Sequence, residues 1–280
     1  MKRILTIQDI SCVGKCSLTV ALPILSVCGI ETAVLPTAVL SSHTAFRNFS
    51  FCDLTSQIPQ ITQAWKAEAL RFDALYSGYL GNESQIDAVL QIHEEFCNDS
   101  AFLFVDPVMA DDGKLYSGFS MGIVDAMASL CSKADYIIPN ISEACFLLHR
   151  DYLDAGYGAD DIKKLLIDLT ELGSKTAIIT GVCLSPDRVG AMSYSKQSGA
   201  FYFYDTEKLP VHFPGTGDVF ASAVAGAMLR GLSAERALAC AAEFTFAAIK
   251  ASCEDRNHVW YGVNFETELP LLSEMLNGSR

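Results

Sequence analysis

Along most of the chain, short continuous apolar runs alternate with longer stretches of helical periodicity. "RILTIQ" (3–8) reads as a strand, and "SLTVALPILSVCG" (17–29) as a helix with a kink point at Pro23 and a stop at Gly29. "ETAVLPTAVLS" (31–41) is strand-like, and about 54–70 forms a long amphipathic stretch. "DALYSGYLG" (73–81) is a strand entering a glycine loop, followed by a helix over 83–97 and a buried strand "AFLFVDPV" (101–108). A helix over 119–131 leads to the strand "DYIIPN" (135–140). Helices near Ser142 and over about 159–172 precede a further strand, "TAIITG" (176–181). Residues 188–194 and 200–205 read as a hairpin, and helices follow from the "PGTGD" segment and over 233–252.

Strands that are apolar throughout and alternate with helices predict a parallel sheet covered on both faces. The late hairpin adds a small antiparallel edge. The expected fold class is thus α/β: one three-layer domain over residues 1–280, with a mainly parallel central sheet and no separate lid domain. In such sheets ligands bind beyond the carboxyl ends of the strands. Polar and glycine residues collect at those ends: Gln8-Asp9, "SSHT" (41–44), "SGYLG" (77–81), Asp106-Pro107, Pro139-Asn140 with Glu143 nearby, and Thr180-Gly181. Each one alone is ordinary turn chemistry. Six together converge on one rim.

Charge narrows the partners. With 33 acidic and 20 basic residues, the net charge is -13, which disfavours nucleic acid and anionic membranes. No run approaches the roughly 18 apolar residues of a membrane span. Asp9 interrupts the start too early for a signal peptide, so a cytoplasmic protein is expected. The ten cysteines are scattered without a C-x-x-C pair, which suits small buried hydrophobes better than disulfides or zinc.

"VGKCS" (13–17) is not a P-loop. Asp9 stands where the first glycine belongs, and Cys16 follows the lysine in place of Ser or Thr. Lys15 reads as a loop residue near the rim that faces solvent. "PGTGDVF" (214–220) carries more. Gly215 and Gly217 let backbone amides turn inward at a helix start, which is an anion site. Asp218 is then either a helix N-terminal acid or a carboxylate facing a hydroxyl beside that site. The local pattern leaves both readings open.

"PGTGDVFASAVAGAMLRG" resembles the G-[TA]-G-D motif of ribokinase-superfamily kinases. "TIQDISCVG", "SSHT", "SGYLG", "DPVMADDGKLY" and "IIPNISEACFLL" are similar, in order and spacing, to vitamin B6 kinases, bacterial pyridoxamine kinases above all. The likeness covers about residues 2–252. It implies ATP-dependent phosphorylation of a hydroxymethyl group on a pyridine ring, in pyridoxal phosphate salvage, with Mg²⁺ and in some members a monovalent cation. By position, Asp218 becomes the general base, and Gly215, Thr216 and Gly217 the anion hole. Asp106, Asn140 and Glu143 fall where the family binds Mg²⁺ and ATP phosphates, Asp106 and Glu143 holding the metal partly through water. Thr180 and Gly181 fall at the nucleotide. Asp9, Ser11, His43, Thr44 and Tyr79 fall on the substrate pocket. A homodimer is implied as well.

One departure stands out. Asp9-Ile10 replaces the Ser-His pair of better-known pyridoxal kinases. A carboxylate there suits the aminomethyl ammonium of pyridoxamine, or it caps a turn or contacts the ring nitrogen or hydroxyl without discriminating between vitamers. Two alternatives to a B6 kinase remain: a hydroxymethylpyrimidine or other small-alcohol kinase, whose motif tends to end in Cys where this chain has Asp218, and a catalytically silent B6- or nucleotide-binding protein. Trp65 and Trp260 read as packing or surface aromatics, His93 and His149 as structural residues in helical patterns rather than ligands, 184–200 as an exposed loop and hairpin, and 254–280 carries no legible motif.

Overall fold

The computed structural model describes residues 1–154 and 156–278, apart from the side chain of residue 99. The chain runs β1 (Arg3–Ser11), α1 (Leu18–Val27), β2 (Glu31–Leu40), β3 (Phe51–Asp53), α2 (Ile58–Ala67), β4 (Phe72–Ser77) and α3 (Glu83–Phe96). It continues with β5 (Cys97–Val105), a two-stranded flap of β6 (Ala110–Asp111) and β7 (Lys114–Leu115), α4 (Met121–Cys131), β8 (Tyr136–Ile137), α5 (Ile141–Leu147) and α6 (Ala159–Glu171). Last come β9 (Thr176–Ser185), β10 (Arg188–Ser195), β11 (Phe201–Glu207), α7 (Thr216–Leu229), α8 (Ala234–Glu254) and α9 (Phe265–Asn277).

Nine strands form one sheet in the order β11-β10-β9-β8-β5-β4-β1-β2-β3. The pairs from β9 across to β2 are parallel, while β10, β11 and β3 run antiparallel at the two edges. Alternate residues serve opposite faces, as a pleated strand requires. Leu5, Ile7, Leu75, Leu103 and Val105 pack in the layer that includes α2 to α6. Ile4, Ala74, Tyr76, Phe104 and Ile178 pack in the layer that includes α1, α7, α8 and α9. This is the expected three-layer α/β architecture. From β1 the chain turns one way to β2 and then returns to β4 on the other side of β1. The crevice at that reversal is where open α/β sheets bind ligands.

Several boundaries differ from the expected ones, each for a local reason. The 54–70 stretch yields a single turn over Thr55–Gln57 and then α2, which ends early. There Ala69 takes φ 50, and Ala69 and Leu70 return their amides to Lys66 and Trp65. That closure normally uses glycine, so composition did not signal it. β8 is cut to two residues because Pro139 has no amide to donate and Asn140 already caps α5. The strand expected to end at Thr180-Gly181 instead runs on to Ser185. Gly181, at φ 73, is the extra residue of a bulge opposite Gly190-Ala191. β3, the β6–β7 flap and α9 were not anticipated. They are short, or lie in a tail whose pattern is weak, and the last two residues of that tail fall outside the described ones.

β10 passes so close to β11 that a Cβ on Gly190 would lie 2.0 Å from the Tyr204 carbonyl oxygen. We expect Gly190→Ala to destabilise the protein by about 1–3 kcal/mol, as overpacking does. Thermal unfolding checks this, and an unchanged Tm would contradict the β10–β11 register.

Candidate active site

Five parallel strands deliver polar groups to one rim: Asp9 and Ser11 from β1, Gly78 after β4, Asp106 after β5, Asn140 after β8, and Thr180 within β9. α7 starts opposite them. Gly215 is its N-cap, at φ 80, and offers no side chain to accept the first helix amides. A Cβ on Gly215 would lie 1.9 Å from the Lys15 carbonyl oxygen, whereas a Cβ on Gly217 would meet nothing. Gly215 is therefore required by the fold. At Gly217 a side chain would find open space, and the dipole-positive amides at this helix start have no side-chain cap, an arrangement suited to an anion. The Thr216 hydroxyl turns back to the Phe213 carbonyl at 3.4 Å.

Asp218 is half-buried in the first turn of α7. Loss of water around it raises its pKa to about 7; the Ser17 amide donates toward it and opposes that shift, and the charge of Asp9 adds to it. Asp106 is buried and held well above the usual carboxylate range, first by burial and then by the charges of Glu143 and Asp218. Glu143 is buried too and likewise raised, chiefly by burial. Its two oxygens accept the amides of Met109 at 3.1 Å and Asn140 at 2.8 Å. The Asn140 side chain accepts from the Glu143 amide at 2.9 Å and donates to the Ala110 carbonyl at 2.8 Å. This capping box pins the β5–β6 connection to α5.

Asp106 thus feels the charges of both Glu143 and Asp218 in a site with little water, a field that a cation would relieve. Carboxylate oxygens suit Mg²⁺, which keeps several waters and needs few protein ligands. Among the described residues no three His, Cys, Asp or Glu side chains come together as a metal cage. Asp106 is the freer ligand, since Glu143 is engaged by backbone.

Of the residues expected in the substrate pocket, Asp9 lies close enough to Asp218, Tyr79 and His43 for its charge and theirs to interact. Asp9 is buried, accepting the Ser17 hydroxyl on Oδ1 at 2.5 Å and the Ser11 hydroxyl on Oδ2 at 2.9 Å. Tyr79 stacks on Phe119 with ring centroids 5.6 Å apart, and burial and Asp9 raise its pKa. Thr44 is exposed. His43 is buried, and both ring nitrogens are spoken for: Nδ1 accepts the Ala45 amide at 3.2 Å, so Nε2 carries the proton toward the Tyr261 carbonyl at 3.0 Å. It is a wall rather than a free polar group. Thr180 bridges to Asn140, and Gly181 is exposed beside it.

Lys15 does not face solvent, contrary to expectation. Its ammonium meets Glu266 at 2.8 Å and Asn264 at 3.2 Å, and its amide donates to the Tyr261 carbonyl. The tail thereby closes the pocket rim, with Trp260 and Tyr261 packed around Phe46. Tyr116, at the end of the flap, was also missed. Its hydroxyl is shifted up by burial and by the charges of Glu143, Asp111, Asp106 and Asp218. Neither feature has a sequence signal, because both arise from long-range docking. His93 and Trp65 are packing residues: the His93 pKa is lowered by burial, and Trp65 sits edge-on to Phe72 and Phe96.

Comparison with known proteins bears on this geometry. The phosphomethylpyrimidine kinase family profile matches residues 32–261. A candidate phosphomethylpyrimidine kinase of Bacteroides thetaiotaomicron, solved with pyridoxal, is 37% identical, with a TM-score of 0.92 over 97% of this chain and 95% of that one. Pyridoxal kinase of Lactobacillus plantarum is 29% identical, with a TM-score of 0.89 over 100% of this chain and 99% of that one. Pyridoxal kinase of Leishmania donovani, solved with ADP and pyridoxamine, shares the fold at 21% identity, with a TM-score of 0.86 over 97% of this chain and 96% of that one.

The two glycines should respond differently to alanine. Gly215→Ala should lower Tm by several degrees, because the new methyl meets backbone at positive φ. Gly217→Ala should keep or raise Tm, since alanine favours the helix by up to about 1 kcal/mol. Equal losses of Tm would argue against the open cradle.

Proposed function

The chain belongs to the pyridoxal kinase and phosphomethylpyrimidine kinase family of the ribokinase superfamily, and on that premise we propose that it transfers the γ-phosphoryl group of ATP to the hydroxymethyl oxygen of a vitamin B6 vitamer. The observation that carries this reading is the pairing at the start of α7: amides without a side-chain cap beside the open Gly217, with a carboxylate poised near neutrality next to them. The pyridoxal, ADP and pyridoxamine held by the similar structures support it.

In this reading Asp218 accepts the proton of the substrate hydroxyl. The oxygen attacks the γ-phosphorus, the bond to the ADP oxygen breaks, and the amides of Gly215, Thr216 and Gly217 receive the charge on the transferred group. A base with pKa near 7 combines a usable ionised fraction with good proton affinity. Asp106, and Glu143 through water, would hold Mg²⁺, which neutralises phosphate charge. Thr180, Gly181 and Asn140 border the nucleotide. Tyr79, Thr44 and His43 border the pyridine ring, with Asp9 and Ser11 at its floor. On the sequence pattern we read the chain as one domain over residues 1–280 and as cytoplasmic, and the resemblance implies a homodimer. Among the described residues no helix is long and apolar enough to cross a membrane.

A hydroxymethylpyrimidine kinase is the second reading, favoured by the name of the matching family. Measuring kcat/KM for pyridoxal, pyridoxine, pyridoxamine and hydroxymethylpyrimidine decides between them. The B6 reading expects the pyridines to win, with pyridoxamine foremost if Asp9 meets its ammonium. Preference for the pyrimidine, or no turnover of any vitamer, would overturn it.

Asp218→Asn should bind ATP normally while kcat falls by about 10²–10⁴. In the wild type, kcat/KM should rise about tenfold per pH unit below about 7 and level off above it, because only the ionised carboxylate accepts the proton. A pH profile flat down to the ordinary aspartate range would remove Asp218 as the base.

A further inference from the structure

Behind the crevice, a small polar group interrupts the apolar layer between the sheet and α7. Thr6 of β1 and Tyr76 of β4 are register partners, and Tyr76 pairs in turn with Phe104 of β5. Tyr76 and Phe104 belong to the layer that includes α1, α7 and α8, so Thr6 faces the same way. The ladder continues beyond them, because the Gly78 and Asp106 amides donate to the Ile7 and Ser77 carbonyls. Two residues on, the same face therefore carries Gln8, Gly78 and Asp106. Gly78 has no side chain, and Gln8 leans into the space: a Cβ on Gly78 would lie 2.8 Å from Gln8 Cδ and 2.9 Å from its Oε1. Gln8 Nε2 donates to Thr6 Oγ1 at 2.8 Å. Its Oε1 finds no partner in the protein.

Two more oxygens in this layer are in the same position. The hydroxyls of Tyr76 and Ser222 also lack a partner, and all three residues are fully buried. Ser222 stands one helical turn after Asp218, on the same side of α7. A serine buried inside a helix usually bonds the carbonyl four residues back, as Ser252 bonds Ala248 at 2.7 Å. Ser222 does not, which leaves its hydroxyl for a partner outside its own backbone. Burial, then the charges of Asp106 and Asp218, hold the Tyr76 hydroxyl well above its ordinary pKa, while Ser222 and Gln8 oppose that shift from close by. Buried bare, each oxygen would forfeit the hydrogen bonds that water gives it in the unfolded chain. Phe and Ala have nearly the shapes of Tyr76 and Ser222 and would avoid that loss. Water is the ligand that suits three neutral groups. The Gln8 oxygen only accepts, the two hydroxyls donate or accept, and two to four polar partners hold a buried water.

We propose that one water molecule binds between β1, β4 and α7, donating to Gln8 Oε1 and bonded to the hydroxyls of Tyr76 and Ser222, and that it ties α7 to the sheet one turn beyond Asp218. The water is a built-in part of the wall behind the crevice. It is present whichever alcohol the crevice accepts, so this site stands apart from the kinase reading.

Thermal unfolding and a high-resolution crystal structure test the site. Tyr76→Phe keeps the ring and removes one hydroxyl. With the water bound, this variant loses a hydrogen bond, and Tm should fall by roughly 2–4 °C. With the hydroxyl bare, it sheds an unpaired polar group, and Tm should hold or rise. Ser222→Ala also raises helix propensity, so its effect is read in a double-mutant cycle. The Tm shifts of Tyr76→Phe and Ser222→Ala should fail to add by at least about 1 °C in the double variant, because the same water is lost only once. A crystal structure of the wild-type protein should show one ordered oxygen about 2.6–3.2 Å from all three groups. The proposal is overturned by a Tyr76→Phe Tm at or above wild type, by additive shifts, or by a direct contact between Tyr76 and Ser222 with no oxygen between them.

Discussion

The contact between the Lys15 carbonyl and Gly215 sets the geometry of the whole site. It brings the β1–α1 loop, the turn before α7 and, through Lys15, the tail into one packed corner. Only a residue without a Cβ, able to hold φ near 80, permits that approach. Because Gly215 has no side chain to cap the helix, the same constraint leaves the α7 amides uncapped. The feature that closes the fold also creates the anion cradle.

Electrostatics follow from that corner. Asp106 is brought within reach of the charges of Asp218 and Glu143 where little water can screen them. Isolated buried carboxylates would be expensive to ionise. Glu143 is steadied by backbone amides and Asp218 by the Ser17 amide, while Asp106 has no such support among the causes that move it. The arrangement makes sense for a protein whose ligands bring the missing charges: a divalent cation near Asp106, and a proton passing to Asp218.

Much of this was legible in the sequence because it depends on local pattern. The parallel strands and the helices between them follow from apolar periodicity. The rim residues Asp9, Asp106, Asn140 and Glu143 stand out by the rule that ligands meet strand ends, and Asp218 by the glycine-bracketed helix start and the family resemblance. The rest depended on contacts between distant segments. Lys15 looked solvent-facing because Glu266 and Asn264 lie some 250 positions away and return only through α9. His43 looked like a free pocket residue because nothing local shows the Tyr261 carbonyl that engages it. Gly181 looked like a strand end, since a bulge and a terminus carry the same glycine.

The account stands or falls on whether this corner moves a phosphoryl group onto a pyridine hydroxymethyl. Phosphorus NMR of purified protein with ATP, Mg²⁺ and pyridoxamine observes that transfer directly. The account predicts that the γ-phosphate signal is replaced by a phosphate monoester on the vitamer and by ADP, and that the ester fails to accumulate with Asp218→Asn. Release of inorganic phosphate without ester, or ester formation at the wild-type rate without the carboxylate, would contradict it.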